Sequence, residues 1–302
     1  IQGALAAFRV SSLYEKTISG PGLVTGTWSY SYSPSWSWAS QCVAGTCATT
    51  SETRVTAPNG VVSKYVFGND YDANAGQLLS ARTEFGGFVF EEKSYAYLDS
   101  SIGQMFADSY GIDPHRGNNP FANKIRPLSV SVTTRDGVTF TKKLSQFDIF
   151  ARPAATENTS SLGFTRNNTV EYFDNFDLWV IGQIKRQYNN NTGYEIAKTE
   201  YTALAQPWKN YTFAKLKQIL TYNTDGTVES ITDGRGNQVT ASNWKRGIPQ
   251  SIQYPATLEA PTGATQLVSV NYNGWVTSTT DESNHTHGYA YDAMGRLISI
   301  TY

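Results

Sequence analysis

The chain has 302 residues, a formal net charge of −1, 39% hydrophobic and 16% charged residues, and an aromatic content of 13%. That charge gives no field to attract nucleic acid or an anionic membrane, and no run of about 18 apolar residues exists to cross a bilayer as a helix. Nineteen Tyr and seven Trp suit broad twisted sheets, because aromatic and β-branched side chains fit a pleated, half-buried surface.

In chain order, the first 70 residues read as aromatic-rich hairpins and residues 71–302 as a second stretch of repeated strands, the two together forming one continuous unit as an alternative. Trp28, Trp36 and Trp38 alternate with Ser and Tyr, so they share one strand face. Buried, such a row fills the inside of a sheet; exposed, it stacks on sugar rings. Burial is the preferred reading. Cys42 and Cys47 are separated by four residues and leave open a small disulfide loop or two independent thiols. Two cysteines alone make no zinc site.

Three hairpins follow, at Asn59-Gly60, Gly86-Gly87 and Asp136-Gly137, each dipeptide tolerating the two positive φ angles of a type I′ turn. In the third, Val130 and Val132 are expected on one face, continued on the return strand by Val138 and Phe140. Residues 111–127 and 255–265 are rich in Pro, Gly and Asn and read as loops. Asn158-Thr-Ser is a sequon placed in a loop. The run Phe213–Leu220 is the one place where apolar residues fall at helical spacing.

Self-similarity is the most informative signal. Tyr291-Asp292-Ala-Met-Gly295-Arg-Leu-Ile-Ser matches Tyr222-Asn-Thr-Asp-Gly226-Thr-Val-Glu-Ser offset for offset. Phe147-Asp148 fits with Ala in the Gly place, Phe173-Asp174 fits loosely, and Tyr71-Asp72 reaches Gly76 after one inserted residue. A shorter unit, Gly-x-aliphatic or Pro-x-Ser, begins at Gly226, Gly247, Gly274 and Gly295. The aromatic residue is expected to open a tight turn, the Asp or Asn to accept backbone N–H groups ahead of it, and Gly to take the positive-φ position. One such strand–turn–strand unit cannot bury its apolar face alone, so neighbours must stack.

Tyr291-Asp292-x-x-Gly295-Arg296-Leu297 resembles the motif of the Rhs/YD-repeat family. The resemblance is strongest from Leu220 to Tyr302 and patchier from Tyr71 to Trp179. It implies an all-β fold, a curved antiparallel ribbon of hairpins belonging to a shell or barrel. It implies a structural, encasing role in a secreted or cell-surface bacterial protein, around an enclosed cargo or toxin polypeptide. The partners are then further repeats of a longer parent chain or copies of this one. Too few repeats are present for a complete shell, and with Ile1 at its start and no leader-like segment the chain reads as a piece of something longer.

An adhesin or carbohydrate-binding module is the competing class, with Trp28, Trp36 and Trp38 as sugar platforms. A glycosidase would need two carboxylates across a cleft, and Glu91, Glu92, Asp174 and Asp177 read instead as solvated strand positions or turn caps. His285 and His287 could share a strand face toward a metal, but an exposed turn explains them as well. His115 has no nucleophile elbow to serve. No catalytic residue, metal site or cofactor is expected.

Overall fold

The computed structural model describes residues 11–33, 48–70, 74–109 and 124–302. Tyr71, Asp72, Cys42, Cys47, Trp36, Trp38 and His115 lie outside them. Among the described residues there is no helix. The chain divides into two compact units, residues 1–169 and 170–302, and the strands on either side of residue 70 pair antiparallel.

The first unit holds β1 Glu15–Gly20, β2 Leu23–Ser33, β3 Thr50–Thr56, β4 Val62–Gly68, β5 Leu78–Phe85, β6 Phe88–Tyr97, β7 Leu128–Arg135, β8 Val138–Phe147 and β9 Pro153–Ser160. A tenth strand, β10 Thr165–Asn175, starts in it. Each strand pairs antiparallel with the next. The second unit continues with β11 Val180–Asn189, β12 Tyr194–Tyr201, β13 Pro207–Thr212, β14 Lys215–Tyr222, β15 Val228–Asp233 and β16 Gln238–Ser242. It closes with β17 Ser251–Gln253, β18 Thr265–Val270, β19 Val276–Thr280, β20 Thr286–Tyr291 and β21 Leu297–Thr301, again each on the next. Both units are therefore meanders of antiparallel hairpins. Register shifts between many pairs add bulges that bend and twist the strands.

Turn chemistry accounts for the hairpins, with corrections. Gly86-Gly87 and Asp136-Gly137 form two-residue loops with positive φ at both positions. At Asn59-Gly60 only Gly60 is positive (φ 82), and Gly60 N donates to Ala57 O at 2.9 Å. The loop is thus three residues long, because Pro58 fits the second position of a type I turn, which Gly60 then exits. The run Phe213–Leu220 is no helix. Phe213 (φ 49) and Ala214 (φ 58) make a two-residue turn between β13 and β14. Asn158 lies in β9, paired to Lys142 and Arg166, not in a loop.

Cross-strand pairing fixes the faces, since directly opposed residues lie on one side. In the first unit one face carries the row Tyr32, Thr53, Tyr65, Ala81, Lys93, Thr133, Phe140. Trp28, Tyr30, Phe67, Phe85 and Tyr95 share that face by alternation. The other carries Ser31, Arg54, Lys64, Arg82, Glu92, Thr134 and Thr139. Phe140 therefore does not continue the Val130/Val132 face. The two-residue loop pairs Val132 with Thr141 and Thr133 with Phe140, so the aliphatic and aromatic residues are on opposite sides. In the second unit Leu220, Ile231 and Val239 oppose one another on one face, followed by Ala241–Ile252 and Tyr289–Ile300. Thr221, Ser230, Thr240 and Gln253 form the other.

One side is therefore mainly apolar and the other mainly hydroxyl-bearing in the second unit, whereas in the first unit one side is richer in aromatic and the other in charged residues, with little packed across either. Among the described residues only Val62, Phe106, Ile125, Phe147, Ala205 and Val270 are buried apolar residues, and no side chain is fully buried. Phe106, Ile125 and Phe147 make the one buried cluster, with Leu98, Leu144 and Ala151 against it. Strict alternation would send Leu144 and Phe147 to opposite faces. Gln146, at φ 55, inverts the strand between them and brings both to the cluster.

Candidate functional site

The recurring turn is the feature that the structure repeats most closely. At Asp292 the backbone N donates to Arg296 O at 2.9 Å, while Gly295 N donates to Asp292 O at 3.0 Å. Oδ1 of Asp292 accepts the amides of Met294 and Arg296, both at 2.9 Å, and Oδ2 accepts Arg296 Nε at 2.6 Å. Gly295 sits at φ 79. One carboxylate thus satisfies two turn amides and pins the guanidinium that follows.

Asp148 repeats this bond for bond, accepting the amides of Phe150 and Arg152 and the Arg152 Nε at 2.7 Å, with Ala151 at φ 58 in the glycine place. At Tyr222 the framework is the same, with Asn223 N donating to Thr227 O and Gly226 N to Asn223 O. There Asp225 accepts the Thr227 amide instead, and Asn223 Nδ2 donates to Thr227 Oγ1.

Further copies lack the sequence signature that makes the first ones visible. Asp233 accepts the amides of Arg235 and Asn237. Asp281 accepts those of Ser283 and His285, with Asn284 at φ 65 in the glycine place and His285 in the arginine place. Thr202 uses its hydroxyl for Leu204 and Gln206, with Ala205 at φ 59. Asn271 accepts the Trp275 amide ahead of Gly274. The common signal is a short hydrogen-bonding side chain three residues before Gly, Asn or Ala.

Two of the sequence-assigned members sit elsewhere. Phe173 and Asp174 lie within β10, and the turn begins after Asn175. Asp174 accepts Gly182 N at 2.8 Å, and Phe173 stacks on Tyr201 at 4.6 Å between ring centroids. Gly247 belongs to a two-residue turn with Arg246, both at positive φ, so its Gly-x-Pro-x-Ser stretch is not the same unit. Gly76 closes its turn at φ 82, donating to Gly68 O.

The aromatic residue before the turn has a defined task. Tyr291 donates its hydroxyl to Val276 O (2.9 Å), Tyr222 to Pro207 O (2.6 Å), Tyr201 to Ile184 O (2.7 Å) and Tyr97 to Leu78 O (3.0 Å). In each case the acceptor is a carbonyl on the preceding strand. The phenol therefore ties a strand end to its neighbour, ahead of a tight turn at Tyr201, Tyr222 and Tyr291 and of the long 98–127 connection at Tyr97, and burial pushes the hydroxyl pKa of Tyr97, Tyr201 and Tyr222 up. Phe147 has no hydroxyl and is buried instead, edge-on to Phe106. A register shift lies beside Tyr97, Tyr201, Tyr222 and Tyr291, where the following strand carries one residue more than the strand before it.

Successive turns also touch. A Cβ on Gly295 would lie 2.9 Å from the Trp275 ring, and one on Gly226 would meet Gln206 at 3.6 Å. Trp275 and Gln206 each follow the glycine-place residue of an earlier turn. Trp275 in turn packs on Tyr291, 5.3 Å between centroids.

Electrostatics follow the same geometry. Hydrogen bonds from the Arg296 amide and guanidinium hold the Asp292 carboxyl below its usual range; the Asn237 side chain and amide do so for Asp233, and the His285 amide for Asp281. On the charged face of the first unit Glu84 lies 2.9 Å from Lys64 and 3.0 Å from Arg82, and the hydrogen bond from Lys64 lowers its pKa.

The remaining candidates do not converge. His285 is held in its turn, 3.4 Å from Asp281, while His287 opposes Thr279 in β20 and meets the Tyr302 ring edge-on. Trp28 is half-buried on the aromatic face, with Lys16 Nζ 5.6 Å from its ring.

The RHS Repeat family model matches residues 271–302, the segment holding the Asn271, Asp281 and Asp292 turns. No curated protein matches the chain. Among solved structures, the Photorhabdus luminescens Tc holotoxin pore with a mutated TccC3 is similar, with a TM-score of 0.55 and 11% identity over 82% of this chain and 12% of that one. A TcdB2–TccC3 structure aligns with a TM-score of 0.41 and 12% identity, over 83% of this chain and 17% of that one. The chain thus spans a small part of the proteins it matches. Residues 271–302 thus carry an RHS Repeat, set in an all-β fold similar to that of the matched part of the holotoxin.

Proposed function

We propose that this chain is a wall segment of an Rhs-type shell, non-enzymatic, with its apolar-aromatic side toward an enclosed polypeptide and its hydroxyl side toward water. The observation that carries the reading is the sheet's two-sidedness combined with its scarce core. In the row Leu220–Ile231–Val239 the outer two are half-buried and Ile231 is exposed, while the opposite row makes its own cross-strand bonds, Thr221 Oγ1 to the buried Ser230 Oγ at 2.7 Å and Thr280 Oγ1 to Thr286 Oγ1 at 2.8 Å. A sheet with one apolar side needs something on that side. A shell supplies it with an interior and its contents.

The resemblance to the Tc holotoxin pore supports a toxin-complex setting, and with it a secreted or surface-displayed location. The turn ladder fits the role, since a wall needs lateral cohesion that does not depend on a core. Cryo-electron microscopy of the full protein tests the proposal. The expected map has these strands as a single-layer wall with polypeptide density on the Leu220–Ile231–Val239 side. A map in which that side packs on a second folded layer, as in a β-sandwich, overturns it.

A further inference from the structure

The turn between β10 and β11 departs from its relatives. Trp179 takes positive φ (54) in a tight turn, its N donating to Phe176 O, where Gly226, Gly236, Gly274 and Gly295 occupy the matching place. A bulky residue resists that conformation, and such an outlier is a pointer to function. Its indole is 72% exposed, so burial does not explain the choice. Phe176 and Leu178 beside it in sequence are exposed, and so is Leu204 on the β12–β13 turn, to which Asn175 Nδ2 reaches through Ala203 O at 3.4 Å.

The chain supplies cations to many of its other rings. Lys16 lies over Trp28, Lys209 over Trp208 at 3.8 Å, Lys198 over Tyr211 and Arg246 over Tyr272. Trp244 donates to Val228 O and Trp275 packs on Tyr291. Trp179 has the edge of Phe176, 6.5 Å away between centroids, and among the described residues no cation lies over it. Two residues earlier stands the exposed carboxylate of Asp177. Phe213, the other exposed aromatic at positive φ, is followed by Lys215 and Lys217, and no acid accompanies it.

We propose that Trp179 and Asp177 form a recognition site for a basic side chain, Arg or Lys, of a polypeptide partner that also covers Phe176, Leu178 and Leu204. An exposed ring–cation contact and an exposed ion pair are each worth roughly fivefold in affinity. Together they hold no free amine at ordinary concentration. The apolar surroundings must add the rest, which is why the ligand is a chain with apolar neighbours to its cation and not a small ammonium ion. The inference stands on this turn and does not depend on the wall reading.

The test uses the whole chain and three labelled twelve-residue peptides of alternating leucine with arginine, citrulline or glutamate. The arginine peptide is expected to bind at least about fivefold tighter than the citrulline one, and the glutamate peptide not at all. Trp179→Gly should lose about fivefold for the arginine peptide while melting higher, because glycine relieves the turn. Asp177→Asn should lose a similar factor and leave melting unchanged. Equal affinity for arginine and citrulline peptides, no detectable binding, or a Trp179→Gly variant that melts lower and binds as before would each overturn the site. Self-association of the chain that Trp179→Gly abolishes, without arginine preference, would do so too.

Discussion

At the scale of single residues, the turns separate conformational need from side-chain chemistry. Gly295 meets two demands, a φ of 79 and a neighbouring indole that leaves a Cβ only 2.9 Å. Gly76 meets the first alone, at φ 82 with nothing within 4 Å of a Cβ. Gly295→Ala should therefore cost about 2–3 kcal/mol and Gly76→Ala about 1 kcal/mol, read by urea unfolding. Equal costs would mean that the Trp275 contact is irrelevant. The reverse applies at Phe213-Ala214, a two-residue turn at positive φ without Asn or Gly. The double change to Asn-Gly should raise stability by about 1 kcal/mol or more, visible as a higher Tm.

At the scale of elements, the repeat is a turn held by one side chain and a strand end tied by a phenol. Its acidic members predict a pH response. Asp233, Asp281 and Asp292 have folded pKa values below the ordinary aspartate value. A depressed folded pKa stabilises the protein above the unfolded pKa, and that stabilisation disappears as pH falls through the folded one. Melting should therefore hold steady from neutral pH to about 5 and drop as pH goes below about 4. Changing all three residues to Asn should lower Tm at pH 7 and flatten the acid drop. An unaltered acid drop in that variant would remove these carboxylates from the account.

Sequence shows this element only where its letters are intact. Tyr222 with Gly226 and Tyr291 with Gly295 are visible because aromatic, Asx and Gly coincide. The Thr202 and Asp281 turns are hidden because Ala205 and Asn284 accept positive φ in place of glycine, and His285 stands in for arginine. Phe173-Asp174 misleads for the opposite reason, since the letters match and the turn lies further on. Turn dipeptides likewise locate hairpins well but not loop length, because Pro58 converts the Asn59-Gly60 hairpin to a three-residue loop and Gln146 inverts a strand that alternation alone would run straight through.

For the whole molecule, the consequence is a fold whose cohesion runs sideways, from strand to strand and turn to turn, in place of a thick core. That is what a wall requires, and it explains how the described strands stay paired in sequence with so few buried apolar side chains. The claim with most resting on it is that the two sides of the sheet face different surroundings. Single cysteines at Ile231 and Thr232, neighbours in β15 on opposite faces, test it most directly in the full protein through their rates of reaction with a polymer-linked maleimide, taken above the background of Cys42 and Cys47. The account predicts rapid labelling at 232 and protection at 231 until the protein is unfolded. Equal rapid labelling at both positions would contradict it.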